Sequence, residues 1–289
     1  MKYLLTVDAV KKIISDYSYA LTLRQIFYRL VSDYRLPNTR AKYTALSRHL
    51  VTAREQGDIP INCIEDRSRN IIRSGDIDDG DPDVYFDLEI DSLKSMALTY
   101  SMSMWDTQDI YVEVWVEKDA LANVISNVAS KWKVLVAPSR GYSSFSYIYD
   151  AVKRFKASNA DNRLVLHFAD HDPSGLNMTD DLFRRLRAYG ADVTIKRVAL
   201  TYDQVQDYNL VPNPTKKGDP RNREYKKLYG DECWELDALP PKVLQGLVET
   251  SIKNCIDMVE WDARLKELEE NQDYIQDKID EFFSNMKEG

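Results

Sequence analysis

"RLVLHFADHDPSGLNM", residues 163–178, decides the fold. From Arg163 to Ala169 it is an apolar run of strand length that ends abruptly in charge. After Asp172 come Pro173 and Gly175, the punctuation of a helix start. The same alternation extends to both sides. Upstream, "IYVEVWV" (110–116) reads as a strand, "DALANVISNVAS" (119–130) as a helix, "KVLVA" (133–137) as a strand and "SFSYIYDAVKRF" (144–155) as a helix. Downstream, "GLNMTDDLFRRLRAYG" (175–190) reads as a helix and "VTIKRVAL" (193–200) as a strand. Such repetition predicts an α/β fold with a parallel, doubly wound sheet.

In an open sheet of this kind, functional groups gather at the carboxyl ends of the strands. Glu117 ends the first strand, and Asp170 and Asp172 end the third. Residues two apart in extended backbone point the same way, so both aspartates can face one cation. Three converging carboxylates repel one another unless a divalent cation neutralises them, an arrangement suited to phosphoryl chemistry with magnesium or manganese. The plainer alternative is helix capping and loop solvation, to which Asp172, just before "PSG", is well suited. By the same alternation His171 points away from the two aspartates and takes a structural role. His167, inside the strand, reads as a core histidine.

The first 72 residues carry a different pattern. Thr6 can cap a first helix. Thr22 and Gln25 have the spacing of a capping box for "LRQIFYRLVSDY" (23–34), where Leu23, Ile26, Phe27, Leu30 and Val31 form one apolar face. Asn38 or Thr39 opens a third helix, "RAKYTALSRHLVTAREQG" (40–57), with Leu46, Leu50 and Ala53 in its buried stripe. Arg40, Lys42, Arg48 and Arg54 lie elsewhere on its surface as candidate DNA contacts, and His49 reads equally as a phosphate contact or as inert. "DIPINCIEDRSR" (58–69) reads as a β-wing, so the segment as a whole predicts a winged-helix DNA-binding module. Arg24 and Tyr28, four residues apart, share a helix face. That guanidinium could assist a phenol whose ordinary pKa of about 10 leaves it a poor nucleophile at neutral pH.

Composition sets the limits. Hydrophobic residues make up 44 % of the 289, enough for real cores, and charged residues 30 %, which suits a chain exposed to water. There is no apolar run of membrane-spanning length, and "MKYLLTVDAVKK" meets charge too early for a secretory segment, so a cytoplasmic protein is expected, nucleoid-associated if it binds DNA. The three cysteines show no zinc or disulfide spacing. Net charge is −8, yet residues 1–70 hold 12 Lys and Arg against 7 Asp and Glu, leaving +5 there and −13 on the remainder. A basic module on an acidic body fits a protein that meets phosphate with one face.

These residues carry a family resemblance. "VEVWVEKDALANVI" and "LHFADHDPSGLNM" resemble the two signatures of a Toprim domain. Their form is similar to the version in the topoisomerase VI A subunit and its meiotic double-strand-break relatives. "APSRGYSSF" (137–145) resembles that family's loop after the second strand, and "TLRQIFY" (22–28) its tyrosine motif. The resemblance covers roughly residues 20–200. It implies that Glu117, Asp170 and Asp172 hold magnesium, that Glu117 also moves a proton, and that Tyr28, helped by Arg24, attacks DNA to form a phosphotyrosyl link. It further implies double-stranded DNA as substrate, a homodimer in which each tyrosine meets its partner's metal site, and a GHKL-type ATPase subunit as partner.

The resulting domain scheme is 1–72 winged helix, 73–108 linker ("RSGDIDDGDPDVYFDLEIDS" being acidic and turn-rich), 109–210 Toprim domain, and 211–289 basic loop with helical extension. Two other functions remain compatible with the sequence. One is a Toprim nuclease that uses metal-activated water, with Tyr28 structural; the other is a non-catalytic DNA-binding protein. The loop bearing Lys216, Lys217, Arg221, Arg223, Lys226 and Lys227 suits a DNA channel or a solvated surface equally. "WELDALPP" (234–241) reads as a structural turn without chemistry.

Overall fold

The computed structural model describes residues 3–34, 36–65, 80–139, 141–215 and 221–288. Along the chain it forms α1 (Tyr3–Ser15), β1 (Leu21–Thr22), α2 (Leu23–Tyr34), α3 (Arg40–Glu55), β2 (Ile64–Glu65), α4 (Pro82–Lys94), α5 (Met96–Thr99), β3 (Ile110–Val116) and α6 (Ala122–Ala129). There follow β4 (Leu135–Pro138), α7 (Phe145–Ala157), β5 (Asn162–Phe168), α8 (Pro173–Ala188), β6 (Thr194–Ala199), α9 (Tyr202–Asp207) and β7 (Asn213–Pro214). The chain ends with α10 (Asn222–Tyr229), β8 (Glu232–Cys233), α11 (Pro241–Lys253) and α12 (Met258–Glu288). The described residues of 1–69 and 110–255 form one compact unit, and those of 70–109 and 256–289 a second.

The first unit is built on a four-stranded, all-parallel sheet in the order β4-β3-β5-β6. Helix α6 packs with α11 and against β4, while α7 and α8 pack together. Trp115, Val165, Ile148, Phe155, Leu182 and Leu186 form one continuous core between strands and α7/α8. The α/β class and the parallel sheet therefore stand as the hydrophobic pattern predicts. Chain direction across the sheet reverses between β3 and β5, which places the ends bearing Glu117 and Asp170 side by side at the topological switch point.

The N-terminal helices of the same unit bury Val10, Leu21, Ile26, Leu30, Leu46 and Leu50 in a core of their own. The predicted capping box of α2 is present: Thr22 Oγ1 accepts from the Gln25 N–H at 3.1 Å, and Gln25 Oε1 accepts from the Thr22 N–H at 2.9 Å. Thr39 caps α3 by accepting from the Lys42 N–H. Thr6, expected as a cap, lies within α1 and is buried, because the helix starts at Tyr3. Of the segment expected as a β-wing, the described part of 58–69 is a 3-10 turn and the short β2, paired in parallel with β1. Residues 66–69 of that stretch lie outside the described residues, as do 66–79 in general.

The expected linker also departs from its reading. Residues 82–94 are helical, with Asp81 accepting from the Asp83 N–H as N-cap and Pro82 in the first turn. This start suits proline, whose missing N–H has no partner to lose there. Acidic residues hid a helix whose Val84, Tyr85, Phe86 and Leu88 are all exposed. The expected extension 211–289 divides likewise: residues up to Cys255 belong to the first unit and those from Ile256 to the second. In that second unit Trp105 packs edge-on against Trp261, and Gln108 is hydrogen-bonded to Asp257 in both directions. No helix among the described residues is long and apolar enough to cross a membrane.

Candidate active site

The β3 and β5 ends are stitched by backbone: the Glu117 N–H donates to the Phe168 carbonyl at 2.8 Å, and Glu117 Oε2 accepts from the Asp170 N–H at 3.0 Å. Asp170 is 7 % exposed, and its Oδ1 accepts from the Leu236 N–H at 2.8 Å. Asp172 is the N-cap of α8, with Oδ1 accepting from the Gly175 N–H at 2.6 Å. Thus the capping reading of Asp172 is correct for one of its oxygens. Each acid is held through one oxygen, while Glu117 Oε1, Asp170 Oδ2 and Asp172 Oδ2 have no hydrogen-bond partner among the described residues.

Gly175 explains the glycine of the motif. A Cβ there would stand 2.2 Å from the Asp170 carbonyl oxygen, so only glycine lets α8 begin this close to the strand end. Arg197 of β6 braces the same turn. Its guanidinium donates to the carbonyls of Ala169, Asp170, Gly175 and Leu200.

The electrostatics follow from this crowding. Burial, then the charge of Asp170, push the Glu117 carboxyl up to about 7, with Asp172 adding to the effect. Lys118 offsets part of this charge, and its ammonium lies 2.6 Å from Asp237, 2.9 Å from Asp170 and 3.0 Å from Glu235. Burial works against that ammonium, but Asp237, Asp170 and Glu235 together outweigh it and hold its pKa well above the ordinary lysine value. Asp237 is 2 % exposed, and its Oδ1 is buried with no hydrogen-bond partner among the described residues.

Glu235 also reaches the N-terminal module, where its carboxylate binds Arg24 at 2.5 and 2.7 Å. Arg29 of the same helix donates to the Ala238 carbonyl. One turn after Arg24, Tyr28 is 3 % exposed, and its hydroxyl oxygen accepts from Asn213 Nδ2 at 2.7 Å. Burial and then Glu235 raise the Tyr28 pKa, while Asn213, Arg24 and Lys118 act in the opposite sense. A cavity of about 340 Å³ opens before this group, walled by Arg24, Phe27, Tyr28, Arg40, Tyr43 and Asn213 among others.

The structure therefore joins Arg24 to Asp170 through Glu235 and Lys118, and places Tyr28 and Arg40 with Arg24 around one cavity. It does not bring Lys42, Arg48 or Arg54 there. Lys42 lines a separate hollow with Leu46 and His49, Arg48 is exposed, and Arg54, at the far end of α3, donates to the Leu50 carbonyl. Of the basic loop, Lys216 and Lys217 lie outside the described residues. Lys226 and Lys227 pair with Asp231 and Glu224. Arg221 stacks on Tyr142 of the loop after β4.

The histidines take structural places. His171 sits in a ring of Tyr202, Tyr225, Tyr229 and Trp234, held near 4 by burial. His167 bonds Thr179 and is held near 3 for the same reason.

What sequence reasoning missed is the arm formed by the described residues of 210–239. The "WELDALPP" turn supplies Glu235 to Arg24 and Lys118, the Leu236 N–H to Asp170, and Asp237 to Lys118. Trp234 bridges backbone to His171, and β7, paired with β8, presents Asn213 to Tyr28.

The donor set is of the kind a hard cation takes: oxygen atoms only, with one open oxygen on each acid. The side chains are not gathered into a finished cage. Among the described residues no group of three or more His, Cys, Asp or Glu is arranged to hold an ion. Comparison with protein families, with curated proteins and with solved structures finds no match.

Proposed function

We propose that the chain is a metal-dependent DNA-cleaving transesterase of the topoisomerase VI A type, with a winged-helix-like module presenting Tyr28 to a Toprim-like sheet. The observation that carries this reading is the Arg24–Glu235–Lys118–Asp170 chain of ion pairs, which joins the tyrosine helix to the acidic strand ends. Glu117, Asp170 and Asp172 would hold a divalent cation, whose charge would stabilise the phosphodiester as it is attacked.

The chain's own groups do the rest. Arg24 exchanges Glu235 for a phosphate oxygen, a bidentate partner of the same geometry. Tyr28 is oriented by Asn213 and screened from water by its burial. Its oxygen bonds to phosphorus while the bond from phosphorus to the deoxyribose oxygen breaks. The phenol proton is given up and the departing sugar oxygen gains one, so the step is a transesterification with no net redox change. Cutting both strands of double-stranded DNA takes two tyrosines, hence a homodimer. Coupling to strand passage would take a GHKL-type ATPase partner. The test is magnesium-dependent cleavage of supercoiled DNA: wild type yields protein-linked ends and Tyr28→Phe yields no cleavage. Cleavage that survives Tyr28→Phe would sink the proposal.

One observation favours a second reading, a metal-dependent nuclease. Tyr28 is buried and its hydroxyl is already satisfied by Asn213, as a structural tyrosine would be. On that reading Tyr28→Phe cleaves at near-normal rate and leaves free ends, whereas Glu117→Gln is inactive.

A further inference from the structure

The phenol of Tyr28 has one direct hydrogen-bond partner among the described residues, and that partner is uncharged. An asparagine amide has a donating and an accepting end, so which end meets the phenol matters chemically. A donated N–H makes the phenol oxygen an acceptor and favours its anion, whereas the amide oxygen would accept the phenol proton and favour the neutral form.

Asn38 settles the choice. Its Nδ2 donates to Asn213 Oδ1 at 3.1 Å and to the Pro212 carbonyl at 3.1 Å. Were the Asn213 amide reversed, two amino groups would face each other. With its oxygen committed to Asn38, Asn213 turns Nδ2 to Tyr28 at 2.7 Å. The backbone is fixed as well: Asn213 pairs with Cys233, and the Thr215 N–H donates to the Asp231 carbonyl at 3.0 Å.

We propose that Asn213 is the positioning residue of the Tyr28 nucleophile, holding its oxygen as an acceptor ready to carry negative charge, and that Asn38 sets the orientation of the Asn213 amide. This rests on the reading of Tyr28 as nucleophile and adds two residues that nothing in the tyrosine or Toprim-like motifs contains. The charged groups around the phenol are Glu235, which opposes the anion, and Arg24 and Lys118, which favour it. Since Arg24 and Lys118 are shared with carboxylates, the donor that belongs to Tyr28 alone is Asn213.

The test places difluorotyrosine at position 28 of the full chain. Fluorination acidifies the phenol into a range where the protein stays folded, and 19F NMR then follows that single group. Asn213→Leu removes the donor, and the isosteric Asn213→Asp replaces it with an acceptor. Loss of a hydrogen bond to an ionised group shifts the phenol by about one pH unit or more. The expected result is an upward displacement in both variants, larger in Asn213→Asp, and a smaller one in Asn38→Ala. The pH profile of covalent adduct formation should move by the same amount, with the rate at neutral pH falling about tenfold or more. An unmoved Tyr28 titration in both Asn213 variants, with native near-ultraviolet dichroism, overturns the proposal. The two readings fail separately: no adduct from wild type removes Tyr28 as nucleophile, while the 19F titration still decides whether Asn213 prepares the phenol.

Discussion

Glu113 and Glu117 stand on one strand and its exit, four residues apart, the first buried and the second half-buried. Glu113 is fully buried, yet both its oxygens are used: Arg154 grips them at 2.8 and 3.0 Å, Trp115 donates at 2.8 Å and Tyr111 at 3.0 Å. Glu117 has one backbone N–H on one oxygen, and the charges of Asp170 and Asp172 act against its ionisation, with Lys118 offsetting part of that. A fold stabilises a buried acid by satisfying it as it does Glu113. Leaving Glu117 partly unsatisfied at a strand end costs stability, and such frustration is expected where a ligand completes the site. The contrast gives one carboxylate to the architecture and, on the proposed reading, the other to the chemistry.

The largest effect should come from breaking the acidic side of this contrast. Asp170→Asn removes a ligand charge while keeping size, and should lower magnesium-dependent cleavage on the order of 10³-fold, as loss of a transition-state electrostatic contact does. The loss of stability should be smaller than for Arg154→Ala, because Lys118 keeps Asp237 and Glu235 and the amide oxygen can still accept from the Leu236 N–H. A variant that cleaves at wild-type rate would place the metal elsewhere.

On the satisfied side, Arg154→Ala strands a buried charge and should cost about 3 kcal/mol of stability. The low end of the usual range applies because the Arg154 side chain is 34 % exposed. Denaturant unfolding reads this directly, and DNA cleavage below the unfolding range should persist. An unchanged midpoint would mean that Glu113 needs no charged partner.

The smallest and most specific effect is in pH. Glu117 is raised from 4.5 to about 7 in the folded state, so between those values the native protein binds more protons than the unfolded chain. Its contribution to stability is complete below 4.5, falls as pH rises, and is lost above about 7. Glu117→Gln cannot ionise, so relative to wild type its melting temperature should climb across that window and then level off. Magnesium affinity of the wild type should rise with pH through the same upper limit, since the cation takes the deprotonated form. Parallel melting curves at all pH values would show Glu117 to be ordinarily acidic.

The sheet and its acidic ends were legible because they rest on local pattern: apolar runs of strand length, then Asp, Pro and Gly in the order a helix start requires. Thr22 and Gln25 were legible for the same reason, being three residues apart. Helix α4 was obscured by its acids, although Asp81 followed by Pro82 was a readable start signal. The arm was not legible. Its 3-10 turn and two-residue strands carry no periodicity, and its contacts join Glu235 to Arg24 across 211 residues of chain and Asn213 to Tyr28 across 185. Nothing local distinguishes Glu235 from any solvated acid. The sequence also showed Asp172 as cap and candidate ligand alike, and the structure gives one oxygen to the first role and leaves the other open.

The central claim is that Tyr28 is a nucleophile docked at the acidic strand ends. The most direct measurement is covalent capture: end-labelled DNA is incubated with the full chain and magnesium, quenched in denaturant, and the protein-linked label is counted. Label on wild type and none on Tyr28→Phe is the predicted result. Cleaved DNA with free ends from both proteins would contradict the claim and leave the carboxylates acting on water alone.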